Sequence, residues 1–123
     1  MKNKISILFA SILLCAVCSN AFGQIKITEA KLGKGVENRV VTEESATFAL
    51  NTKVYFWMKT SGGTGDITIT WKSGNRSHNT TLKIGGDPWR TWAYHTTYAT
   101  GEWTATATDD KGTVLKEITF TVQ

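Results

Sequence analysis

Beyond residue 18 the chain has no cysteine: its two, Cys15 and Cys18, both lie near the N-terminus. A body without thiols forms no disulfide, no Cys-based zinc site and no redox pair, so its stability has to come from packing. Proline occurs once, at Pro88, and histidine twice, at His78 and His95. Two histidines with no cysteine or acid cluster at ligand spacing fall short of the three or four donors a metal site wants, so no metal and no cofactor is expected. No apolar run after Val17 approaches the roughly 20 residues a membrane-spanning helix needs. Nor does any stretch past residue 23 show the three-four apolar spacing of an amphipathic helix.

The first residues read as an export signal. Lys2 and Lys4 form its positive end, Ile5 to Val17 its apolar core, and Ala21-Phe22-Gly23 its small-residue cleavage motif. Cleavage is expected before Gln24, with cleavage after Ala21 as the second choice. Cys15 and Cys18 then serve as apolar filler, and neither follows the small residue that lipoprotein processing needs. Residues 1–23 are thus expected to be a signal peptide and residues 24–123 a single domain, exported to the periplasm or secreted, with no stable membrane insertion after cleavage. Losing Lys2 and Lys4 takes the basic count from 14 to 12 against ten acids, a net charge of +2 in place of +4. So weak and dispersed a charge gives no basic stripe for nucleic acid.

What remains is rich in threonine, valine, isoleucine and aromatic residues, a strand-forming composition. Ile25 to Leu32 reads as a first strand ended by Gly33-Lys34-Gly35, and Val36 to Val41 as a short edge segment. Lys53 to Thr60 alternates most clearly: Val54, Phe56 and Met58 on one face, Tyr55 and Trp57 on the other. Ile67, Ile69 and Trp71 alternate with threonines, and Ser77 to Ile84 returns as a hairpin partner through Ser73-Gly74-Asn75-Arg76. Trp103, Ala105 and Ala107 alternate in the same way. In the last strand, Leu115 can share a face with Ile118 and Phe120 only across a bulge near Lys116, whereas Val114 could do so without one. About seven short strands separated by turns predict an all-β fold, an immunoglobulin-like antiparallel β-sandwich.

The segment Trp89-Arg90-Thr91-Trp92-Ala93-Tyr94 stands out, since with Gly101-Glu102-Trp103 it holds three of the five tryptophans. Period-two alternation puts Trp89, Thr91 and Ala93 on one face and Arg90, Trp92 and Tyr94 on the other. Trp92, Tyr94, Arg90, Trp57 and Tyr55 therefore fall on faces opposite the expected core. They are the candidate ligand-binding residues, because Trp, Tyr and Arg dominate binding hot spots. The competing use of the same rings is as buried core in a domain that needs large side chains.

Catalytic signals are sparse. Asp66, Asp87 and Asp109 belong to loops, Ser77 and His78 point apart as strand neighbours, and Gly62-Gly63-Thr64-Gly65 lacks the lysine and helix of a phosphate loop. Asp109-Asp110 with Glu102 could approach a calcium ion, but turn chemistry before Gly112 accounts for the same residues. His78 and His95 are each expected to be exposed or singly bonded.

Trp71, Leu82-Lys83-Ile84-Gly85-Gly86, Trp89-Arg90-Thr91-Trp92, Gly101-Glu102-Trp103, Gly112-Thr113-Val114-Leu115 and Phe120-Thr121-Val122 together resemble the bacterial envelope family called domain of unknown function 2914. Val36-Glu37-Asn38-Arg39 and Phe48 resemble its N-terminal part. The resemblance implies a small β-rich domain of exported or membrane-anchored proteins and brings no catalytic residue. The expected function is a non-catalytic binding or interaction module of the cell envelope, its partner an envelope protein or glycan. The alternatives are a carbohydrate-binding module using the exposed aromatics and a small hydrolase.

Overall fold

The computed structural model describes residues 24–123, so the expected leader lies outside the described residues. Nine strands follow one another: β1 Lys26–Glu37, β2 Val40–Glu44, β3 Thr47–Phe48, β4 Lys53–Ser61, β5 Gly65–Ser73, β6 Arg76–Ile84, β7 Trp89–Thr96, β8 Gly101–Thr108 and β9 Val114–Val122. They form a four-stranded sheet in the order β2-β1-β4-β7 and a five-stranded sheet in the order β3-β9-β8-β5-β6. Every pairing is antiparallel except that of the short β3 with β9. The all-β sandwich is as expected, with nine strands instead of about seven. Among the described residues no helix is long and apolar enough to cross a membrane.

Alternation builds the core. From β4, Val54, Phe56 and Met58 are fully buried; from β5, Ile67, Ile69 and Trp71 meet them, with Trp103, Ala105 and Ala107 from β8. The register sets Trp71 beside Ala105 and Ile69 beside Ala107, so large residues lie against small ones and the interior fills without overlap. Trp103 and Phe120 are cross-strand partners whose rings stack with centroids 6.0 Å apart. Phe120 also meets Trp71 edge-on at 6.2 Å and Phe48 at 5.6 Å. The Trp103 indole N–H donates to the Ala99 carbonyl at 2.9 Å, so its one polar atom is satisfied inside the core.

Polar anchors close the loops. Thr97 is buried; its hydroxyl donates to the Ala49 carbonyl at 3.1 Å and accepts from the Thr52 amide at 3.1 Å, tying the end of β7 to the β3–β4 loop. Asp109 accepts from the backbone amides of Lys111 and Thr113, both at 2.9 Å, and from the Gln24 side chain at 3.2 Å. Burial opposes ionisation of this carboxyl, but those three hydrogen bonds with the nearby Lys111 charge outweigh it and hold its pKa below the usual value.

One local expectation is revised and one open alternative is decided. The first strand does not stop at its glycines: it runs on to Glu37, and the chain reverses at Asn38-Arg39, where both φ values are positive (51° and 63°), as a two-residue hairpin loop requires, so Val36 to Val41 is not one edge segment but the end of β1, the turn and the start of β2. A Cβ at Gly33 would overlap the Thr42 carbonyl oxygen and Val41 Cγ2, so glycine is needed inside the strand to let β2 come so close. At the other end of the chain the bulge exists. Ala107 pairs with Lys116 and Thr108 with Val114, which leaves Leu115 as the extra residue, turned toward the core while Val114 is exposed.

Because Trp103 joins both edges of the ring cluster, Trp103→Ala should cost about 3–5 kcal/mol, against a total of about 5–15 for a domain of this kind. Chemical denaturation measures this directly; a loss under about 1 kcal/mol would contradict the packing described.

Candidate functional site

Strands β4 and β7 pair so that Tyr55 lies opposite Tyr94, Trp57 opposite Trp92 and Lys59 opposite Arg90. These side chains alternate with the buried Val54, Phe56, Met58 and Ala93, and so share the outer face of the four-stranded sheet. All five residues singled out from sequence come together there. Tyr94 is 53% exposed, Arg90 is exposed, and Tyr55 and Trp92 are half-buried. The Tyr55 and Tyr94 rings are 5.5 Å apart and tilted by 44°, and the Lys53 ammonium stands 4.5 Å over the Tyr94 ring.

Trp57 is the correction within this group. It is only 3% exposed, since the β1–β2 hairpin folds over it and the Arg39 carbonyl accepts its indole N–H at 2.8 Å. A ring so covered is the floor of the face and not a contact for a ligand arriving from solvent. Sequence parity placed Trp57 on the outer face correctly, but could not show that the chain's own hairpin covers it.

The two histidines, each expected to be exposed or singly bonded, stack on one another. His78 of β6 and His95 of β7 stack with centroids 4.7 Å apart where the edges of the two sheets adjoin, and His95 stacks in turn on Trp71 at 5.8 Å. Tyr98 packs on Trp103 at 4.8 Å and carries the Arg76 guanidinium 5.0 Å over its ring. His95 Nε2 and Trp71 Nε1 are buried without a hydrogen-bond partner. Burial, with the His78 charge second, holds the His95 imidazolium below the ordinary 6.5. Nothing in the spacing of residues 78 and 95 announces this cluster, because it forms between edge strands of different sheets. Among the described residues no three His, Cys, Asp or Glu side chains converge on a metal position.

Asp66, expected in a loop, lies instead in β5 opposite Lys83 of β6, and with Asp109 and Asp110 it lines one cleft of about 230 Å³. Asp109 is engaged by three hydrogen bonds, two from its own turn and one from Gln24, and held ionised, which is opposite to what a general acid requires. Asp87 faces elsewhere and accepts from the Gly62 amide at 3.0 Å.

Residues 65–122, the run from β5 through β9, match the family described as Protein of unknown function (DUF2914). This segment belongs to that family. The matched span includes Trp71, Trp92 and Trp103, which carry the resemblance, and leaves out Val36 to Arg39 and Phe48. The DUF2914 segment thus supplies the five-stranded sheet except β3, together with the edge strand β7 of the other sheet. No curated protein matches the chain in sequence.

Two expectations check this geometry. Trp57→Phe keeps a ring under the hairpin but removes the indole N–H, so it should lose about 1 kcal/mol and speed amide exchange in β2 ahead of the core strands. For His95 the folded pKa lies below the unfolded one, so the unfolded chain binds the proton more readily. Stability should therefore be constant above about pH 6.5 and fall as the pH drops from there toward the folded value; His95→Phe should flatten that slope in thermal melts taken across this range.

Proposed function

We propose that this chain is an exported, non-catalytic binding module of the bacterial cell envelope whose recognition surface is the outer face of the four-stranded sheet. The observation that carries this reading is Tyr94, a large ring 53% exposed on regular β-structure, beside Tyr55 and on the same strand face as Trp92 and Arg90. Rings held on strands are pre-oriented, so little side-chain freedom is lost when a flat partner stacks on them.

A glycan partner is favoured over a protein by the distribution of apolar surface. The other exposed large hydrophobics, Val40, Leu50, Tyr98 and Val114, are scattered over the β2 edge, the β3–β4 loop, the β7–β8 loop and the start of β9. A protein-binding surface would group them into one patch. Here the rings form one block flanked by charged side chains, Lys53 at one end and Lys59 with Arg90 at the other, an arrangement that suits stacking on a sugar with hydrogen bonds at its rim. The non-catalytic part of the reading rests on Asp109, whose carboxylate is taken up by its own turn.

Trp92→Ala and Tyr94→Ala should each weaken co-sedimentation with purified envelope glycan about tenfold, while staying within about 1 kcal/mol of the wild-type stability. Stability losses as large as that of Trp103→Ala in both variants, or unchanged co-sedimentation, would overturn the proposal.

A further inference from the structure

At the end of the ring face, where the β1–β2 hairpin reaches over the sheet, Arg39, Lys59, Pro88, Trp89 and Arg90 line a cleft of about 230 Å³. Its three charged groups are all cationic and come from three parts of the fold: the hairpin loop, β4 and β7. Two features of this arrangement run against stability. Lys59 and Arg90 are direct cross-strand partners on one face, and like charges so placed destabilise a sheet. Arg39 occupies the second loop position of its hairpin with φ 63°, where glycine is the favoured residue and a long side chain is uncommon.

Among the described residues no carboxylate forms a salt bridge with Arg39, Lys59 or Arg90. Glu29 lies across from Lys59 on β1, but its carboxylate is engaged by Lys31 at 3.0 Å, the only ion pair among the described residues. Asp87, next to Pro88, has turned to the Gly62 amide. Local choices that oppose the fold without an internal compensation mark functional positions.

We propose that this cleft binds an oxyanion, a phosphate, sulfate or carboxylate group carried on a saccharide whose ring extends onto Trp92 and Tyr94. Two arginines and a lysine lining one small cleft carry the donors that such a group accepts. The saccharide part rests on the ring-face reading above; the oxyanion part does not.

The Trp57 indole N–H donates to the Arg39 carbonyl, so its NMR cross-peak reports on the cleft's hairpin wall. Titrating the whole domain with inorganic phosphate or sulfate should shift that peak saturably, while chloride at the same ionic strength should not. Lys59→Gln and Arg90→Gln should each bind the anion about tenfold more weakly, yet melt no lower than wild type without ligand, because each removes a like-charge contact. Glucose 6-phosphate should bind more tightly than phosphate, and Tyr94→Ala should abolish only that gain. Anions no better than chloride, or anion binding unaltered in both glutamine variants, would overturn the oxyanion site. Equal affinity for phosphate and glucose 6-phosphate would sink the saccharide extension and leave the oxyanion site standing. Binding of glucose with no response to either anion would overturn the cleft and leave the ring face standing.

Discussion

With no cysteine beyond residue 18, the two sheets are joined by side-chain packing, and that packing turns on the contact of Trp103 and Phe120. Both rings come from the five-stranded sheet, from neighbouring strands, and with Trp71 and Phe48 they make a continuous aromatic layer. Against that layer the aliphatic face of β4 is fully buried. A domain of this size buries so limited a fraction of its surface that a few large rings carry much of the stabilisation. The small Ala105 and Ala107 are part of the same solution, because they open the space that Trp71 and Ile69 occupy.

The four-stranded sheet has a second, thinner buried layer on its outside. Gly33 lets the β1–β2 hairpin approach closely, the hairpin covers Trp57, and the indole N–H fixes where the hairpin ends. The outer face is thereby divided. One part is roofed and structural; the other, with Tyr94, Trp92 and Arg90, stays open to solvent. The cationic cleft lies at the boundary of the two, and it exists because a loop residue far from β7 in the chain is brought alongside it.

Alternation alone gave most of the strands from β4 onward, the faces of Val54 to Met58, Ile67 to Trp71 and Trp103 to Ala107, and the common face of Tyr55, Trp57, Trp92 and Tyr94. Those features depend on a local period of two, which any stretch of strand displays. Lys59 was legible by the same rule, since it shares parity with Trp57 and Tyr55. Less legible were features that depend on contacts between distant segments. The glycines of β1 looked like a strand terminus because close approach by another strand leaves no local mark. Arg39 gained its place from the hairpin's path, and the His78–His95 stack from the meeting of two sheet edges. The bulge at Leu115 could be posed as one of two alternatives, and the choice fell to the one that buries the larger side chain.

The partner of Trp57 is the main-chain oxygen of residue 39, not the guanidinium. Every amino acid offers that oxygen, so the clamp that secures the hairpin is indifferent to which side chain the loop displays. Related chains with the same hairpin could therefore exchange the displayed group for an acid, an amide or a glycine and change what the surface attracts while the scaffold beneath it stays intact. If the proposed oxyanion site holds, architecture and selectivity are encoded in different atoms of one residue.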